Sequence, residues 1–215
     1  MTAAARTMLR VAFLTLLLLR AERGLAAADA DALLKRLARP APATTPFTEV
    51  RFSSLLATPI VLSGELQYEA ADTLGKRVDQ PYREQIDIHG EDVRVAREGE
   101  RERHFSLKRA PELRGIVASF AALLSGDRAQ LERYFQLGLE EDGDNWKLTL
   151  TPREERVRQH LAAVTVLGRT DTPRCLMTAE ADGDASVMLL DDAPAGALPA
   201  PLERSALEKR CRARP

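Results

Sequence analysis

The chain has 215 residues, with 31 Lys and Arg against 32 Asp and Glu, and 45% of its residues are apolar. That balance lacks the strongly basic surface that nucleic acid demands, and no dense basic cluster suits an anionic membrane surface. No nucleic-acid partner is expected, and the length suits one domain with a sizeable core.

Residues 1–28 read as a secretion signal. Arg6 and Arg10 form a basic start, Val11 to Leu19 an apolar run, and Ala26 and Ala28 an A-x-A cleavage pattern. The run is too short to cross a bilayer, which takes about 20 apolar residues. Removal of this segment leaves 187 residues with a formal charge of −4. The expectation is a soluble protein outside the cytoplasm, with residues 29–215 as a single domain ending in a C-terminal tail. No cysteine stands near the expected mature start to carry a lipid anchor.

Asp31, followed by Leu33, Leu34 and Leu37, predicts a short amphipathic helix over 29–39. Pro40, Pro42 and Pro46 end it and impose an extended path. The period then becomes that of a strand: Phe47, Glu49, Arg51 and Ser53 share one face, and Thr48, Val50 and Phe52 the other. Further strands are predicted at Ile60–Tyr68, Arg83–Ile88, near Val93 and Val95, and at His104–Leu107. Turns fall at 89–92 and 98–100, and this spacing argues for an antiparallel meander.

Pro111 opens a helix that runs to about Ser125. Leu113, Ile116, Val117, Phe120, Leu123 and Leu124 keep helical spacing, while the opposite face is small rather than charged. Gly126 ends it, and Asp127 can cap a short second helix through Phe135. Strands resume at Phe135–Glu141 and around Trp146, Leu148 and Leu150. The charged stretch Glu154–His160 reads as helix or long turn. Leu161–Leu167, Arg174–Ala179 and Ser186–Leu190 close the pattern. Ala193–Pro201 should be irregular, and Leu202–Arg212 a terminal helix.

Cys175 and Cys211 are the two cysteines. In an oxidising compartment such a pair is expected to be bridged, pinning the tail to the body. No nucleophile elbow, phosphate loop or dinucleotide fingerprint occurs. His89, His104 and His160 lie far apart without metal-ligand spacing. The carboxylate runs read as solvated faces. No catalytic residue, metal ligand or cofactor site is therefore assigned, and a binding protein is favoured over an enzyme.

Several segments, in order, resemble the periplasmic outer-membrane lipoprotein carrier family (LolA-like), and its divergent LolA-related branch most. Phe47-Thr48-Glu49-Val50-Arg51-Phe52 resembles the first strand of that family, where F-x-[EQ] follows the N-terminal helix. Gly64-Glu65-Leu66-Gln67-Tyr68 resembles its next strand. Gln80-Pro81-Tyr82 and Ile88-His89-Gly90-Glu91-Asp92-Val93 resemble the strand and turn that follow, and Trp146 to Pro152 resembles a late strand ending in L-x-P. The resemblance implies an α+β fold, an incomplete antiparallel β-barrel (half-barrel) covered by short lid helices over an apolar cavity. It also implies a monomeric periplasmic carrier that takes an acylated lipoprotein or a lipid-like product from an inner-membrane donor to an outer-membrane acceptor. The family places a functional arginine just after its second strand. Here that stretch reads Glu69-Ala70-Ala71-Asp72, and Arg77 comes later, so an arginine-locked lid is not carried over.

A half-barrel must cover one of its alternating faces. The candidate ligand-binding residues are Leu113, Ile116, Val117, Phe120, Leu123 and Leu124 on the lid helix. On the strands they are Leu66, Tyr68, Ile86, Ile88, Val93, Val95 and Phe105. The alternative functions are a periplasmic lipid or lipoprotein sensor of the same fold and a small secreted lipid-acting hydrolase.

Overall fold

Strand alternation and one interrupting helical block organise the molecule. The computed structural model describes residues 30–70, 72–109, 111–190 and 198–212. The expected signal segment and its cleavage point lie outside them, as does most of the Pro- and Ala-rich stretch before Pro201.

Helix α1 (30–37) leads into strands β1 (Ala43–Phe52), β2 (Ile60–Ala70), β3 (Thr73–Gln80), β4 (Glu84–His89), β5 (Asp92–Arg97) and β6 (Arg103–Ser106). A 3-10 turn (Leu107–Arg109) precedes helices α2 (Pro111–Ser125) and α3 (Arg128–Tyr134). Then come β7 (Phe135–Asp142), β8 (Asn145–Pro152), α4 (Glu155–Arg158), β9 (Leu161–Arg169), β10 (Thr172–Glu180), β11 (Ala185–Leu189) and α5 (Arg204–Arg212). All eleven strands form one sheet in the order β6-β5-β4-β3-β2-β1-β11-β10-β9-β8-β7. Every pairing is antiparallel. Two meanders thus meet where β11 returns beside β1. The outer strands β6 and β7 are not paired with each other, and α2 and α3 join them. The sheet is open, a half-barrel with short helices, as the family resemblance implied; the strand spacing itself pointed to the antiparallel meander.

Local chemistry explains the boundaries. Pro111 occupies the first turn of α2, where a missing N–H costs nothing. Gly126, at φ +72°, follows its end, where the chain must turn left-handed. The Asp127 side chain accepts a hydrogen bond from the Gln130 backbone N–H and caps α3. Pro46 lies inside β1 rather than before it, at a position paired with Glu65 of β2 but beyond the reach of β11, whose pairing begins at Thr48. No described strand pairs with that side of β1 there, so the absent N–H is tolerated.

Strand β3 is the element the sequence pattern does not announce. Thr73-Leu74-Gly75-Lys76-Arg77-Val78-Asp79-Gln80 carries charge on both faces, so period-two alternation fails. Neighbouring strands override that weak signal: β3 pairs with β2 on one side and β4 on the other. A Cβ on Gly64 would sit 1.8 Å from the Arg77 carbonyl oxygen, so only glycine permits this close approach of β2 to β3.

The two faces of the sheet are covered differently. On the outer face, Val50, Leu167, Cys175, Val187 and Leu189 pack with Leu207 and Cys211 of α5. The Cys175–Cys211 disulfide ties α5 there. On the inner face, Leu33, Leu34 and Leu37 of α1, Ala122 and Leu123 of α2 and Leu131 of α3 pack onto Phe135, Trp146, Leu148, Leu150, Val164 and Val166. Together they form the main core. The Trp146 indole lies where a Cβ on Gly168 would be, and its Nε1–H donates to the Thr170 carbonyl at 3.1 Å.

Candidate functional site: the inner face of β2–β6

The register sorts the candidate strand residues onto one face. One ladder runs Tyr68–Leu74–Ile88–Val93–Phe105 across β2 to β6; the next runs Leu66–Lys76–Ile86–Val95–Arg103. Cross-strand partners share a face. All seven strand candidates therefore point the same way, joined by Leu74, which the sequence reading did not single out. This is also the face that α1, α2 and α3 cover over β7–β9.

Among the described side chains, cover over β2–β6 is thin. Val117 of α2 packs against a small cluster of Val93, Val95 and Leu107 with half-buried Ile86 and Ile88. Leu66 and Leu74 are half-buried, and Phe105 is 40% exposed. Further along α2, Phe120 packs against the main core and Leu123 is buried within it, while Leu124 is half-buried. The side chains of Leu113 and Ile116 lie outside the described ones. Helix α2 thus bridges two regions: its C-terminal half helps fill the space over β7–β9, and Val117 roofs the strands of the other meander.

An ionic cluster sits on the same inner face. Glu49 of β1, 4% exposed, lies between Leu62 and Met188 on the flanking strands. Its carboxylate accepts from Lys76 Nζ at 2.6 Å and from Arg51 Nε at 2.9 Å. Burial alone would push the Glu49 carboxyl up; the Lys76 charge and the hydrogen bonds from Arg51 and Lys76 outweigh it and hold the carboxyl below its ordinary value. Lys76 also lies 4.9 Å from the centroid of the Phe47 ring. In the sequence this cluster is half visible. Glu49 and Arg51 share the phase of Phe47, which is buried, but Lys76 falls in the unannounced strand.

Arg77 takes no part in the roof. It lies on the outer face, paired with Glu65 at 3.0 Å and Asp79 at 3.1 Å. That face of β2–β6 is a solvated polar surface. Arg94 donates to Glu102 at 2.8 Å; with the His104 contact, that bond holds Glu102 down to about 2. A depression lined by Arg36, Glu141, Gly143, Asp144, Trp146, Thr170 and Asp171 is open and mostly polar and lies beside the filled region, away from the inner face of β2–β6. Among the described residues no group of His, Cys, Asp and Glu is placed to hold a metal. No described helix is long and apolar enough to cross a membrane.

The family described as "Outer membrane lipoprotein carrier protein LolA-like" matches residues 23–213. The chain belongs to this LolA-like family. It is a family of lipid- and lipoprotein-binding proteins. Among solved structures, the chain resembles a LolA superfamily protein, NE2245, from Nitrosomonas europaea at 15% identity and a TM-score of 0.40; the match covers 77% of this chain and 94% of that one. It resembles a putative outer membrane lipoprotein-sorting protein domain from Vibrio parahaemolyticus at 9% identity and a TM-score of 0.43, covering 85% and 96%. It resembles MucB at 17% identity and a TM-score of 0.43, covering 81% of this chain and 61% of MucB. No curated protein matches the chain.

Proposed function

We propose that this LolA-like chain is a periplasmic, non-enzymatic carrier that holds the acyl portion of a lipoprotein or lipid-like product against the inner face of β2–β6, beneath α2. One observation carries the reading: a row of apolar side chains on that face keeps solvent exposure although a helix of the same protein lies over it. Leu66, Leu74, Ile86, Ile88 and Phe105 adjoin one another across the face, and a contiguous apolar patch, unlike scattered exposed residues, favours a guest that covers it. Burying about 14 methylenes at about 0.8 kcal/mol each supplies roughly 11 kcal/mol of gross transfer free energy. Lost chain freedom and movement of the roof reduce that figure, which favours a bound yet releasable cargo. An inner-membrane donor and an outer-membrane acceptor complete the scheme.

Native mass spectrometry of the protein purified from the periplasm tests this. The carrier reading predicts co-purifying acylated molecules that leave when the inner face is blocked. A lipid-free protein that turns over a lipid ester supports a hydrolase instead. A lipid-free protein without turnover points to the sensor.

A further inference from the structure

We propose that the inner-face site takes an amphiphile with an anionic head group, which Lys76 and Arg51, the two cations that share Glu49, bind through their remaining N–H donors. The inference rests on the carrier reading and specifies its ligand. Charge is sorted by face. On the inner face of β1–β6 the register places Arg51, Lys76, Arg97 and Arg103 with Glu49 and Glu84, and Glu100 of the following turn pairs with Arg97 at 3.4 Å. The outer face of β2–β5 carries Arg77 and Arg94 with Glu65, Asp79, Asp87 and Asp92, the opposite balance. A face built only to be packed would not retain surplus cations, because an ammonium among apolar side chains costs desolvation.

Lys76 is in that position. Its cross-strand neighbours are Leu66 and Ile86, and its side chain is only 20% exposed. Glu49 holds it in place but is shared with Arg51, so the trio keeps one net positive charge, which Glu84 of β4 offsets from the Arg51 side rather than at Lys76. An ammonium has three donors and a guanidinium five. Lys76 spends one on Glu49, and Arg51 spends its Nε–H and one from its terminal NH2. The remaining donors can meet carboxylate or phosphate oxygens through charge-assisted hydrogen bonds. One row along the strands, half-buried Leu74 and Ile88 and exposed Phe105 offer the apolar surface for the chain of the same molecule, with Tyr68 and Val93 buried in the same ladder. Head and tail thus have adjoining seats on one face.

The test is titration calorimetry on the purified protein with three ligands of one acyl chain: oleate, oleoyl lysophosphatidate and monoolein, each below its micellar concentration. We expect at least one anionic ligand to bind about tenfold more tightly than monoolein, and the ranking of the two anions tells carboxylate from phosphate. The triple change Glu49→Gln, Arg51→Gln and Lys76→Met removes both cations with their shared countercharge, and should bring all three ligands within about twofold while sparing monoolein affinity. Arg51→Gln alone, at a side chain 44% exposed, should lower the preference; it decides the matter if circular dichroism shows the triple variant unfolded. Arg94→Gln, on the outer face, should leave the preference intact. Equal affinity for all three ligands overturns the head-group inference and leaves the apolar site standing. An equal loss in Arg94→Gln overturns it too. Binding of none of the three overturns both readings.

Discussion

The two meanders of this sheet present the same kind of inner face and receive different treatment. Over β7–β9, three helices supply Leu33, Leu34, Leu37, Ala122, Leu123 and Leu131; beneath them Phe135, Trp146, Leu148, Leu150, Val164 and Val166 are almost fully buried, and only Leu137 and Leu139 on the outer strand β7 stay half-buried among the described residues of this cluster's β7–β9 floor. Over β2–β6, the described cover is Val117 and the turn residue Leu107. Leu and Val in alternation do not separate the regions, since both use them. Placement of the helices separates them. A filled interior gives the protein its stability; a thinly roofed one can be given to a ligand.

Several changes would break or sharpen this comparison. The largest effect should come from the filled region. Phe135→Ala leaves a cavity under α3 and should cost about 3–5 kcal/mol in denaturant unfolding, whereas Ile88→Ala, half-buried on the other meander, should cost less than half as much. A similar cost for both would erase the distinction. Next is the outer-face staple. The bridge closes a sequence separation of 36 residues, so the loop-entropy model predicts that Cys211→Ala lowers stability by about 3–4 kcal/mol. The apolar ladders of β2–β6 lie away from α5, so ligand affinity should be retained in that variant.

Glu49 gives a pH-dependent contrast. Its folded carboxyl is held below the ordinary value of 4.5, so the unfolded state takes up its proton first as pH falls. The stabilisation is present above about pH 4.5 and is lost as pH drops toward the folded value. Glu49→Gln should therefore lower stability by roughly 1–3 kcal/mol at neutral pH and flatten the acid limb of the stability curve. An unchanged limb would show that the carboxylate is not held by Lys76 and Arg51. The smallest stability effect belongs to the roof: Val117→Ala should change unfolding free energy by less than about 1 kcal/mol while weakening acyl-ligand binding several-fold.

Much of this arrangement is legible in the sequence, for a physical reason. Strand phase and helical spacing report which residues share a face, so Leu66, Tyr68, Ile86, Ile88, Val93, Val95 and Phe105 could be grouped before any coordinates. Pro111, Gly126, Asp127 and the turn glycines mark boundaries because backbone geometry demands them. What phase does not report is what covers a face. Nothing in Leu33, Leu34 and Leu37 says that α1 packs on β7–β9, or that Phe120 and Leu123 join the same core while Val117 stands over the other meander. Lys76 hid for the opposite reason: a charged residue on an inner face breaks the alternation by which its strand would be recognised. The residue most informative about the ligand is thus the one that obscured its own strand.

The most direct test of the central claim is methyl-resolved NMR of the protein titrated with an oleoyl amphiphile. The account predicts shifts at the methyls of Leu66, Ile86, Ile88, Val93, Val95 and Val117, with those of Leu131, Leu148, Val164 and Val166 unmoved. Perturbation confined to the second group, or binding that leaves the first group silent, would contradict it.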